Sequence, residues 1–147
     1  MTSSTIHDMQ RAARAADEAT NAREQARAAR DAAIQDARAS GSRPVQLAAA
    51  AGLSRSTVHA AIRAAQGTAR GGDPLARVQR AAEEWRAAKD AERAAHDARN
   101  VAIARALDGG QAQPADVRAV TGWGEARVYQ ARDEGRALIA AQDATDA

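Results

Sequence analysis

Alanine supplies 44 of the 66 hydrophobic residues in this sequence, leaving 22 larger apolar side chains to build a core. Each alanine buries a single methyl group, so contacts made from it contribute little one by one and favour closely approaching backbones. Alanine, arginine and glutamate favour helix, phenylalanine is absent, and no β-branched run occurs. The chain therefore reads as all-α, with no strand candidate.

Length and composition exclude several classes of function. With 147 residues there is room for one ordinary domain or two very small ones. The absence of cysteine removes disulfide frameworks and thiolate metal sites. His7, His59 and His96 are scattered, and the acids fall on helix faces without an HExxH or paired-carboxylate context. The glycine pairs at 71 and 109 lack the lysine or strand of a phosphate-binding loop. No catalytic residue, metal or cofactor is expected, and the chain does not read as an enzyme. No segment approaches the ~20 apolar residues of a membrane span, and the N-terminus lacks the apolar core of a signal peptide. The expected location is cytoplasmic and nucleoid-associated, without a membrane partner.

The sequence carries one pattern twice. Gln10–Ala13 reads QRAA, as does Gln79–Ala82, 69 residues later. At that offset Ile34 meets Ile103, and six alanines from Ala19 to Ala37 meet alanines. After one extra loop residue, Pro44 meets Pro114, Gly52 meets Gly122 and Val58 meets Val128. This predicts a tandem duplication. The expected domains are 1–66, a long helix plus a helical hairpin; a linker at 67–73; 74–138, the second such unit; and a C-terminal tail at 139–147.

Each unit should begin with a helix of about thirty residues, roughly 45 Å long. Thr5 and Asp8 form a capping-box-like start to the first and Ser40-Gly41 a stop; Asp73-Pro74 starts the second and Gly109-Gly110 ends it. Alanines at 19, 22, 26, 29, 33 and at 88, 91, 95, 98, 102 alternate steps of three and four, the spacing of a heptad seam. Trp85 is expected to anchor packing there. The linker favours antiparallel pairing of the long helices within one chain; the same seams would also serve a homodimer.

Charge is uneven. The segment Ala37–Gly72 holds Arg38, Arg43, Arg55, Arg63 and Arg70 and no acid, the composition of a surface that meets a polyanion. Within it, RPVQLAAAAGLSRSTVHAAIRAA reads as two short helices around a tight turn: Pro44 opens the first, Gly52 permits positive φ, and Ser54 caps the second. Leu47, Ala48, Ala51, Leu53, Val58, Ala61 and Ile62 take the apolar sites. In this spacing, and in AGLSRSTV above all, the segment resembles the helix-turn-helix family of DNA-binding domains, as found in bacterial and phage repressors.

The resemblance implies a second helix in the major groove, presenting Ser54, Arg55, Ser56, Thr57, His59, Ala60 and Arg63 to bases and phosphates, with Arg43 nearby. Arg55 or Arg63 would pair with guanine. In the second copy Arg127, Tyr129 and Gln130 would take equivalent places, although Arg118 replaces the small residue at Ala48, Gly124 replaces the Ser54 cap, and Glu125 and Asp133 oppose phosphate. The implied function is sequence-specific binding of double-stranded DNA by a transcriptional regulator, most commonly a repressor in this family. The alternatives are an architectural or plasmid or phage DNA-maintenance protein, and a helical protein-interaction scaffold.

Overall fold

The structure is a computed structural model describing residues 3–147, with side chains from Ser4 onward. It is all-helical, with no strand among the described residues. The helices are α1 (Ser3–Ala39), α2 (Pro44–Ala51), α3 (Arg55–Ala64), α4 (Pro74–Asp108), α5 (Pro114–Thr121) and α6 (Glu125–Asp146). Among the described residues no helix is long and apolar enough to cross a membrane.

The stops and starts of the helices follow local chemistry. At the end of α1, Ser42 N–H donates to the Ala37 carbonyl at 3.0 Å, and Gln111 does the same to Ala106 at 2.9 Å after α4. Asp73 caps α4, accepting from Ala76 N–H at 3.1 Å. The expected cap at Thr5 is corrected: α1 already runs from Ser3, and the Thr5 hydroxyl donates to Gln111 Oε1 at 3.2 Å. A hydroxyl inside the first turn serves a tertiary contact when the helix begins upstream of it.

The chain forms two compact units, and their boundaries differ from 1–66 and 74–138. One unit is Asn21–Asp90; the other joins the residues up to Thr20 with Ala91–Ala147. Each long helix contributes to both. The reason is antiparallel pairing, visible inside each unit. In Asn21–Asp90, Arg30 lies over Trp85, while Ile34 and Ala37 share a core with Val78 and Ala82. In the other unit, Thr5 meets Gln111, Thr20 meets His96, and Met9 joins the cluster of Ile103 and Ala106. Each helical hairpin is thus closed by the opening turns of the other long helix.

The cores are small and dense. The Asn21–Asp90 core is Ile34, Ala37, Leu47, Ala51, Val58, Ala61, Val78 and Ala82. Its counterpart is Met9, Ile103, Ala106, Ala112, Val117, Val128 and Ala131. Burying each larger side chain contributes about 1.5–3 kcal/mol, so most of the stability rests on these few groups.

The alanine seam is a correction. Ala22, Ala29, Ala91 and Ala98 are exposed and their neighbours in the series only half-buried, whereas Met9, Ala16, Ile34, Val78 and Ile103 are buried. The larger side chains take the interface with a few alanines such as Ala16, Ala37 and Ala82 because they remove more apolar area from water, and the alanines of the regular series flank it. Trp85 is half-buried as a platform for two cations, with Arg30 at 4.3 Å and Lys89 at 4.6 Å from its ring centre. Its buried indole N–H has no acceptor among the described residues.

The expected tail at 139–147 is also corrected, because α6 continues to Asp146. Two features hold α6 against α4. Arg136 forms a two-pronged pair with Asp108, its Nε at 2.7 Å. Gly135 is buried so close to α4 that an added Cβ would stand 2.2 Å from the Asn100 carbonyl oxygen.

Gly135→Ala should therefore reverse the usual preference. Helix propensity alone would stabilise the substitution by about 1 kcal/mol, whereas overpacking against a backbone carbonyl costs about 1–3 kcal/mol. Urea unfolding is expected to show a net loss; a gain would mean that α6 does not pack on α4 at this depth.

Candidate nucleic-acid interface

The α2–turn–α3 hairpin is built from its turn outward. Pro44 sits at the start of α2, where a missing N–H costs nothing, and the Arg43 N–H donates to Gln46 Oε1 at 2.8 Å. Gly52 adopts φ 65° and ψ 37°, a left-handed conformation that a Cβ penalises, and the Leu53 N–H closes the turn on the Ala48 carbonyl at 3.1 Å. Ser54 then caps α3, its Oγ accepting from Thr57 N–H at 3.3 Å. The Ser54 hydroxyl also lies 2.9 Å from the Thr57 hydroxyl and 3.1 Å from that of Ser56.

One face of α3 is locked and the other is open. Val58 and Ala61 are buried and Ile62 half-buried, whereas Ser54, Arg55, Ser56, Thr57, His59, Ala60 and Arg63 are all exposed. Val58 is fixed in the core shared with Leu47 and Ile34, so the exposed face has a set orientation within its unit. Eight residues separate Arg55 from Arg63, about 12 Å along the helix axis.

The arginines of the acid-free segment have different roles. Arg38 donates to the Ser42 carbonyl at 3.2 Å, and Arg70 pairs with Asp36 at 3.2 Å. An ion pair as exposed as this one contributes little to stability. It nevertheless brings a carboxylate onto a cation that sequence composition left unopposed. Arg43, Arg55 and Arg63 are exposed and, among the described residues, form no ion pair, and the His59 ring has no partner there.

The second hairpin repeats the scaffold with different chemistry on it. Gln113 N–H donates to Asp116 Oδ2 at 2.8 Å, and Gly122 takes φ 73° while its N–H reaches the Arg118 carbonyl at 2.8 Å. Arg118 itself is exposed, so its side chain leaves the hairpin instead of spreading it. Gly124 caps α6 with no side-chain bond.

All three residues expected to read DNA here have internal partners. Arg127 stacks on Trp123 at 4.4 Å, the half-buried Tyr129 ring carries Arg132 at 4.9 Å, and Gln130 Nε2 donates to Glu134 Oε1 at 3.0 Å. Glu125 and Asp133 are exposed on the same helix. The two hairpins therefore share geometry and differ in what they offer to a polyanion.

Sequence reasoning missed the surroundings of Trp123. Arg99, buried to 9% exposure, also lies over that ring at 4.5 Å. Burial lowers the Arg99 pKa first, and the nearby positive charge of Arg127 lowers it further. Arg30 and Arg99 stand 69 residues apart, and comparing their neighbours Asp31 and Asn100 would have flagged the difference. Among the described residues no group of three or more histidines and acids is placed to hold a metal ion. Family models, curated protein sequences and solved structures give no match to the chain.

The caps are directly testable. Ser54→Ala should lower stability by about 1 kcal/mol, and Gly124→Ser should raise it by a few tenths. Thermal unfolding of the two variants measures both, and equal effects of the same sign would contradict the capping geometry.

Proposed function

We propose that the chain binds duplex DNA through α3, laying that helix in the major groove as a sequence-specific regulator of transcription. The observation that carries this reading is the open face of α3. Arg55, His59 and Arg63 project from a helix whose opposite face is buried, in a segment without acids, and none has an ion-pair partner among the described residues. Unpaired guanidinium groups on a rigid helix supply two things that recognition requires: cationic contact with phosphates and a flat fork for guanine.

The hydroxyls complete the assignment. Ser54 holds the first turn together, so its contribution is to position the helix. Ser56 and Thr57 stand beside it at the start of α3, where hydroxyls commonly contact phosphate. Arg43, just before α2, would contact the backbone on the flank of the same site. The second hairpin is assigned a supporting role, because Arg127, Tyr129 and Gln130 are engaged internally and acids share their helix. Even a weak contact from the second hairpin would add avidity to the first.

Selection from a random duplex pool, followed by fluorescence anisotropy on the enriched site, tests this reading. One motif should be enriched, and Arg55→Ala should weaken its binding roughly tenfold to a hundredfold while relaxing preference at one position. Arg43→Ala should weaken all duplexes alike and reduce the salt slope by about one. Binding without enrichment would favour an architectural role, and no binding at low salt would leave the helical scaffold.

A further inference from the structure

A cleft of about 390 Å³ opens between α4 and α6 inside the unit that contains Ala91–Ala147. Its size falls in the range of small-molecule sites. Arg99, Trp123 and Arg127 line it, together with carboxylates and amides from both helices. We propose that this cleft binds a small phosphate-bearing molecule, with Arg99 and Arg127 as the two forks that hold the phosphate group.

Arg99 lacks the adjacent carboxylate that its counterpart in the other unit has. In the other unit, Arg30 is buried and its Nη2 pairs with Asp31 at 2.9 Å. At the matching places stand Arg99 and Asn100, and the contact becomes a 3.4 Å bond from Nε to a neutral amide oxygen. A buried guanidinium has thus lost its adjacent carboxylate, and a second guanidinium, Arg127, is held against the same ring. Leaving a buried charge unpaired is costly unless something else supplies the opposite sign.

Glu92, Asp97 and Glu134 also line the cleft, and among the described residues no ion pair joins any of them to Arg99 or Arg127. Glu134 accepts from Asn100 Nδ2 at 2.8 Å with one oxygen and from Gln130 Nε2 at 3.0 Å with the other. Its charge, with that of Asp17, acts on Arg99 only from a distance, and more weakly than burial and Arg127 act against it. Both guanidinium groups lie over the Trp123 ring, and apart from the Arg99 Nε held by Asn100 their N–H groups are left for an oxyanion. Two such cations suit a dianion, and phosphate supplies both the charge and the oxygens. Asp97 also lines the cleft and would accept from an amine or hydroxyl on the same ligand.

The two tryptophans, one in each unit, make the test internally controlled. Indole N–H signals of the full chain would be followed by NMR during titration with inorganic phosphate and with phosphoethanolamine, against chloride at matched ionic strength. The Trp123 signal should shift and saturate with both phosphate probes while Trp85 stays still. Arg127→Gln, an exposed change that spares the core, should weaken binding about tenfold or more, the loss of one charge-assisted fork. The double variant Asn100→Asp with Glu134→Gln, which returns a carboxylate to Arg99, should weaken it likewise. Parallel drift of both indoles, or an unchanged affinity in Arg127→Gln, would overturn the proposal. So would a Trp123 response to a DNA duplex with none to either phosphate probe, which would assign the arginines to backbone contact.

Discussion

The antiparallel pairing of α1 with α4 is the constraint on which everything else in this structure depends. A helical hairpin of eight and ten residues, carrying Leu47, Ala51, Val58 and Ala61, has too little apolar surface to stand alone. It becomes stable when Ile34 and Ala37 from α1 and Val78 and Ala82 from α4 close over it. The other hairpin is completed in the same way by Ile103 and Ala106 from α4 and by Met9 from α1. With so few large side chains in the chain, each unit borrows one from the distant long helix.

Small residues allow that economy. Where Gly135 meets Asn100 the backbones approach to a distance that excludes even a methyl group, so dispersion between main chains replaces side-chain bulk. The alanines act differently from a zipper. Those of the regular series flank the buried positions, which are Met9, Ile34, Val78 and Ile103 together with Ala16, Ala37, Ala82, Ala104 and Ala106.

Electrostatics then separates two hairpins that share one backbone plan. On α3 the arginines are unpaired and the helix is free of acids, which suits a polyanion. On α6 Arg127 and Arg132 lie over aromatic rings, Arg136 pairs with Asp108, and Gln130 bonds to Glu134, so fewer cations are open to a polyanion. A few substitutions at matched places, Asn100 for Asp31 and Trp123 for Leu53 among them, are enough to change what a shared scaffold presents.

Much of the local structure was legible in the sequence because it depends on neighbours along the chain. Pro44, Gly52 and Ser54 mark their turn by backbone conformation and capping, and Asp73-Pro74, Ser40-Gly41 and Gly109-Gly110 mark helix ends for the same reason. The buried face of α3 was legible too, since Val58 and Ala61 recur at helical spacing. Only the tertiary structure decided which side chains fill the interface between the long helices, because alanine spacing is equally regular on several faces and burial goes to whichever residues remove most apolar area from water. It also decided that the compact units cut across the sequence repeat, and that Arg70 meets Asp36 while Arg99 and Arg127 meet over Trp123. Those outcomes depend on distances between residues far apart in sequence, which local propensity does not encode.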